Sequence, residues 1–160
     1  MSYFGAMAIV LSVYMIWREY SGFLSAELVW CRAFLLGISD YREKMQCYMS
    51  TPLDWAREYR EKNLVSCGFL EKLTDGYSFS EAYSASRESL CMTDEADSIV
   101  SSCFERMGEG YLDTELKILD SAIEKLTLEE TRITENFSKK QKAMGAVLGA
   151  CAFGVVILII

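Results

Sequence analysis

Apolar residues are spread very unevenly along this chain. The first stretch, Met1 to Trp17 (MSYFGAMAIVLSVYMIW), and the last, Ala143 to Ile160 (AMGAVLGACAFGVVILII), carry no charged side chain, and every Lys, Arg, Asp and Glu lies between them. As helix, each terminal stretch is about 26 Å long against a bilayer hydrocarbon core of roughly 30 Å. Snorkelling of Lys139, Lys140 and Lys142, and the interfacial rings of Trp17 and Tyr20 beside Arg18, make up the shortfall. The pattern predicts an all-α, membrane-anchored helical bundle in three parts: a transmembrane helix over 1–17, a cytosolic helical domain over 18–142 and a transmembrane helix over 143–160. The competing reading makes both ends buried core helices.

Within the centre, Leu24, Leu28, Cys31, Leu35, Ile38, Tyr41, Met45 and Met49 step by three or four residues and draw one stripe along a long first helix that continues from the first span. A second stripe runs through Leu112, Leu116, Leu119, Ile123 and Leu126, then resumes at Ile133 and Phe137 after a polar break at Glu130. No proline or glycine lies between Tyr111 and Met144, so the last cytosolic helix is expected to run into the second span as one rod. The two rods enter from one membrane face and must be antiparallel, their stripes facing each other.

Turn residues place shorter helices between the rods. Thr51, Pro52 and Asp54 form a cap, a first-turn proline and a first-turn acid, with Leu53, Trp55, Ala56 and Tyr59 as the apolar residues that follow. Gly68 and Gly76 are breaks on either side of a helix from Phe69 to Thr74. The next helix is expected to be capped by Ser80 with Glu81 in its first turn. Thr93 caps another whose inward face is Ile99, Val100, Cys103, Phe104 and Met107, ended by Gly108 and Gly110. The segments TPLDWA and YSFSEAY share a cap, acid and aromatic order that hints at a weak internal duplication.

Charge sets the topology. Arg18 follows the first span and Lys139, Lys140 and Lys142 precede the second, which predicts a hairpin with both termini outside and residues 18–142 in the cytosol. A cleaved signal peptide would need a basic start, and Ser2, Tyr3, Phe4 and Gly5 supply none. The hydrophobic fraction of 51% and mean hydropathy of +0.12 average two greasy ends with a polar middle. A net charge of −7 argues against nucleic acid and broad anionic surfaces as partners; the acidic surface is expected to keep the domain soluble or to meet a basic partner.

Candidate chemistry is sparse. The chain has no histidine and no CxxC, so Cys31, Cys47, Cys67, Cys91, Cys103 and Cys151 are expected to be free, buried thiols, with no metal and no cofactor. Phosphate-binding and nucleophile-elbow motifs are missing. The acid pairs Asp94–Glu95, Asp113–Glu115 and Glu129–Glu130 are expected to be helix N-terminal charges or solvated faces. Catalytic residues are therefore expected to be none. Gly145 and Gly149 form a GxxxG that suits close intramembrane packing, within the hairpin or between protomers as a homo-oligomer.

In its order of features the chain resembles the stage III sporulation protein AB family of endospore-forming bacteria, itself similar in fold to the cytoplasmic domains of the type II secretion inner-membrane platform protein. The resemblance rests on length, a span at each end, a long first helix leading to a turn with Pro52 and Leu53, Gly76 followed by Ser78 and the Glu81–Ala82 helix, and Phe104-x-x-Met107-Gly108 with Asp113 opening the final helix. The chain departs from the family pattern after Gly108: Leu112 stands where a second glycine is usual, with Glu115 and Lys117 as polar residues nearby. The resemblance implies a non-enzymatic platform component of a sporulation-specific, secretion-like channel complex in the mother-cell membrane around the forespore. It implies a secretion-type cytosolic ATPase, other membrane proteins of that complex and the lipid bilayer as partners. The expected partner contact is the turn region farthest from the bilayer, near Tyr48, Thr51, Pro52, Tyr77 and Gly108. The alternative is an unrelated membrane-anchored adaptor or tether whose stripes pair as coiled coils between chains.

Overall fold

Long proline-free runs at both ends of the chain become two long helices in the computed structural model, which describes residues 2–108 and 110–159. Side chains of residues 2–6, 9–10, 13, 24, 148–149, 151–153 and 155–159 fall outside that description. The order is α1 (Ser2–Tyr48), α2 (Pro52–Glu58), α3 (Lys62–Ser66), α4 (Phe69–Thr74), α5 (Phe79–Ser86), a single 3-10 turn (Arg87–Ser89), α6 (Asp94–Glu105) and α7 (Leu112–Ile159). Among the described residues there is no strand. One described helical segment, Tyr14–Tyr48, is long and apolar enough to cross a membrane, with a mean hydropathy of 1.4. Most side chains of the expected span 143–160 lie outside the described residues.

α1 and α7 run antiparallel and side by side. Arg42 Nε donates to Asp120 at 2.8 Å, Arg32 Nε to Glu130 at 2.8 Å, and Lys140 Nζ to the Tyr20 hydroxyl at 2.7 Å, so numbers fall along one helix as they rise along the other. Between these polar edges Cys31, Phe34, Ile38, Tyr41 and Met45 of α1 and Leu119, Ala122, Leu126 and Ile133 of α7 are buried. A fully buried Leu119 or Leu126 contributes roughly 1.5–3 kcal/mol, whereas an exposed ion pair such as Arg42–Asp120 contributes about 1 kcal/mol at most. The apolar seam therefore holds the rods together and the ion pairs set their register. Both stripes bury each other within one chain, as the antiparallel stalk expected from the sequence requires.

Two of the short helices, α2 and α6, begin at the caps expected from the sequence, while α3 (Lys62–Ser66), capped by Glu61, was not expected and α5 starts from a different serine. Thr51 Oγ1 accepts the Asp54 N–H at 3.2 Å, and Thr93 Oγ1 accepts the Ala96 N–H at 3.2 Å. The cap of α5 is Ser78, not Ser80: its hydroxyl accepts the Glu81 N–H at 3.3 Å while the Glu81 carboxylate accepts the Ser78 N–H at 2.9 Å. That reciprocal pair needs a spacing of three residues, which Ser80 does not have. Thr51 and Asp54 share the spacing of Ser78 and Glu81, so the likeness of TPLDWA and YSFSEAY is a likeness of caps.

An aromatic cluster joins the short helices to α1. Phe79 stacks on Phe104 with ring centroids 5.0 Å apart, Phe69 on Phe104 at 5.5 Å, and Phe34 meets Tyr83 edge-on at 5.4 Å. The Trp55 indole N–H donates to Asp40 at 2.8 Å, tying α2 to α1. Gly37 makes room for α3: a Cβ there would stand 2.9 Å from Leu64 Cδ1. Gly68 (φ +76°) and Gly76 (φ +92°) take left-handed turns on either side of α4, as expected of breaks.

Several expectations need correction. Met49 is not part of the α1 stripe; it lies past the helix end, 77% exposed, with φ +51°. Leu112 is likewise exposed at the start of α7 rather than seated in the seam. Glu129 and Glu130 are neither N-terminal charges nor a solvated break. Glu129 is 6% exposed, accepts from Thr93 Oγ1 at 3.0 Å and pairs with Arg132 at 3.1 Å, while Glu130 pairs with Arg32. The stripe of α7 thus passes through position 129 with a partnered carboxylate in it. Of the described cysteines, all free, only Cys31 and Cys103 are buried; Cys67 and Cys91 are half-buried and Cys47 is exposed.

Candidate functional site

Three connections gather at one end of the helical pair. The register of the rods sets the end of α1, Tyr48, level with the start of α7. α5 travels from Phe79, whose ring is 5.0 Å from Tyr41, to Tyr83, 5.4 Å from Phe34, and so heads back along α1. The residues just before it, Tyr77 among them, therefore project toward the Tyr48 end. α6 runs the other way, from Thr93 beside Glu129 to Gly108, whose N–H donates to the Glu115 carboxylate at 3.0 Å. Glu115 thus serves as the polar partner of the glycine turn, and Gly108 adopts φ +92° there.

The sequence-derived contact residues Tyr48, Thr51, Pro52, Tyr77 and Gly108 all lie on these turns. Pro52 is half-buried as the first residue of α2, and the other four are exposed. Beside them stand Met49 and Tyr111, the latter 89% exposed, together with Leu112. Sequence reasoning missed these three. Met49 and Leu112 fit the periodicity of their helices, and the left-handed end of α1 that turns Met49 outward has no glycine to announce it. Asp54, Asp75 and Asp113 are exposed on the same turns, so the surface is aromatic with acidic neighbours. It suits an apolar partner face with a basic rim.

Away from these turns a concavity of about 520 Å³ lies between α6 and α7, where Ser98, Ser102 and Ser121 meet Arg106, Lys125 and Leu128. Cys103 contributes to its wall, and burial pushes that thiol up to about 12, away from a reactive thiolate. Cys31, in the rod seam, is pushed up to about 11, first by burial and then by the negative charges of Glu129 and Glu130. Among the described residues no group of His, Cys, Asp or Glu is placed to hold a metal ion.

These observations describe a helical domain carried on two rods, with turns rather than a cleft as its most exposed apolar surface. The family model of stage III sporulation protein AB matches residues 2–160. The chain belongs to that family. No curated protein and no solved structure matches it. Membership makes the chain a sporulation protein, with the match running through both rods and every short helix. Of the two glycines expected to pack in its last segment, Gly145 has no described atom within 4 Å of its Cβ position; the surroundings of Gly149 lie outside the described residues.

Proposed function

We propose that this chain is a non-enzymatic, integral-membrane platform component of a sporulation-specific, secretion-like complex, coupling a cytosolic ATPase to channel assembly. Both ends span the mother-cell membrane around the forespore, and both termini lie outside. The observation that carries the reading is the pair of long rods, fixed in register, that holds an aromatic surface at the end remote from the uncharged tails. Exposed large side chains support the membrane part: Met15 and Ile16 are 63% and 67% exposed on α1 ahead of Tyr20, a costly arrangement in water and a favourable one in lipid. The two-span hairpin supplies the anchor, and the turns around Tyr48, Met49, Tyr77 and Tyr111 receive the ATPase.

Photo-crosslinking residues introduced at Tyr48 and Tyr111 in the full chain, in native membranes, test this. Crosslinks to a secretion-type ATPase are expected, and Tyr48→Ala with Tyr111→Ala should weaken its association about tenfold or more, as loss of aromatic anchors does. Undiminished association of that double variant would refute the contact surface. Release of the chain from vesicles by alkaline carbonate would refute the anchor.

A further inference from the structure

The face of α1 turned away from α7 carries an apolar line of its own. Ala8, Met15, Gly22, Val29 and Leu36 follow one another at every seventh residue, and all are exposed, Met15 at 63%, Val29 at 44% and Leu36 at 52%. The buried Cys31 and Ile38, which seat α7, lie two residues beyond Val29 and Leu36, about 200° round the helix, so the α7 seam leaves this line uncovered. A strict seven-residue repeat is the spacing that two helices keep when they wind round each other. The line runs for about 42 Å, from the uncharged tail into the charged part of the chain. Lipid covers only its first part and a water-soluble partner only its last; a helix that leaves the bilayer at the same level covers both. Where the two parts meet, Arg18 and Glu19 sit about 50° to either side of the line through Met15 and Gly22. Neither forms an ion pair among the described residues. Gly22 has no described atom within 4 Å of its Cβ position, and with Tyr14, Met15, Arg18 and Glu19 it borders a hollow of about 400 Å³ on this face.

We propose that α1 pairs with α1 of a second copy of this chain, parallel and side by side, along Ala8, Met15, Gly22, Val29 and Leu36. The proposal rests on the membrane reading above, which stands both copies upright in one bilayer. Their two-fold axis is then the membrane normal, and each residue of the line meets its own counterpart. With no side chain at Gly22 the two backbones close on each other there. Because Arg18 and Glu19 flank the line on opposite sides, the same axis sets Arg18 of each copy against Glu19 of the other, and both pairs are satisfied at once. A parallel helix of the same sequence thus supplies the length, the period and the charge order that this face presents.

Disulfide trapping of the full chain in native membranes tests the pairing. Cys47→Ser removes the exposed cysteine, and Val29→Cys, Leu36→Cys or, at an exposed position of α7, Leu128→Cys is added. Under copper phenanthroline, Val29→Cys and Leu36→Cys are expected to give a product of twice the chain mass about tenfold faster than Leu128→Cys, since paired helices hold the two thiols at a high effective concentration. In the Val29→Cys chain, Arg18→Glu or Glu19→Arg alone should lower that rate about fivefold, as like charges replace two surface pairs, and both changes together should restore it. Failure of the double change to restore it would rule out a parallel pair. Rates for Val29→Cys and Leu36→Cys no greater than for Leu128→Cys, in a chain that alkaline carbonate leaves in the membrane, would overturn the pairing alone. A product of any other mass would give the face to a different protein and overturn it as well. Release of the chain by carbonate would overturn the membrane reading and the parallel pairing together.

Discussion

Glu129 and Glu130 are adjacent in sequence yet should differ severalfold in what they contribute to stability. Glu129 is 6% exposed and accepts a hydrogen bond from Thr93 Oγ1 at 3.0 Å, while the same hydroxyl accepts the Ala96 N–H at 3.2 Å. The carboxylate therefore fastens the cap of α6 onto α7. A buried hydrogen bond to a charged acceptor is worth about 1.5–3 kcal/mol. The Arg132 pair adds little, because the Arg132 side chain is 65% exposed and remains hydrated when its partner is removed. Glu129→Ala should thus cost about 2–3 kcal/mol. Glu130→Ala removes a pair whose Arg32 side is 55% exposed and should cost about 0.2–1 kcal/mol. Denaturant unfolding of the full chain in mild detergent, followed by far-UV circular dichroism, measures both. A cycle of Thr93→Ala with Glu129→Ala should show a coupling of about 1 kcal/mol or more. Equal costs for the two glutamates, or no coupling to Thr93, would refute the idea that burial in the α6–α7 joint distinguishes them.

Other outcomes follow from single features. Met49→Gly should raise stability by about 0.5–1 kcal/mol in the same unfolding assay, since a non-glycine residue at φ +51° carries a cost that glycine avoids. Gly37→Val should lower it by about 2 kcal/mol or more, because the added atoms enter space already filled by the buried Leu64. Backbone and hydroxyl hydrogen bonds from Ser78 hold the Glu81 carboxyl below its ordinary value of 4.5. The stability this adds is present above about 4.5 and is lost as pH falls through the lowered value, so Glu81→Gln should flatten the acid side of a stability-against-pH curve.

The order of helices, their antiparallel rods and most of their caps were legible because they rest on local signals. Proline after threonine at 51–52, the glycines at 68, 76 and 108, and threonine before the acids at 94 and 95 each act within one turn of the chain. Ser78 was passed over for Ser80 because two serines flank Phe79 and only the distance to Glu81 separates them. α3 went unread because its cap is Glu61, whose carboxylate accepts the Leu64 N–H at 2.8 Å, a weaker sequence signal than a serine or threonine. Phe34 falls off the chosen α1 stripe, yet three further aromatic rings from α4, α5 and α6 converge on it. Burial of Glu129 depends on Thr93, far away in sequence, and no periodicity of α7 alone could announce it. At the candidate surface, Tyr48, Thr51, Pro52 and Tyr77 were readable as turn residues. Met49 and Tyr111 needed the helix ends to be known to the residue.

The cross-links between the two rods dictate what kind of movement the molecule can relay. A piston stroke of one rod along the other by a single turn, about 5.4 Å, would part Arg32 from Glu130, Arg42 from Asp120 and Tyr20 from Lys140 at once, and would pull Leu119 and Leu126 out of their berths. Tilting the hairpin as one lever breaks none of them. Force applied at one end of the pair is therefore passed to the other end as a rocking of the whole hairpin rather than as a sliding of one rod along its neighbour.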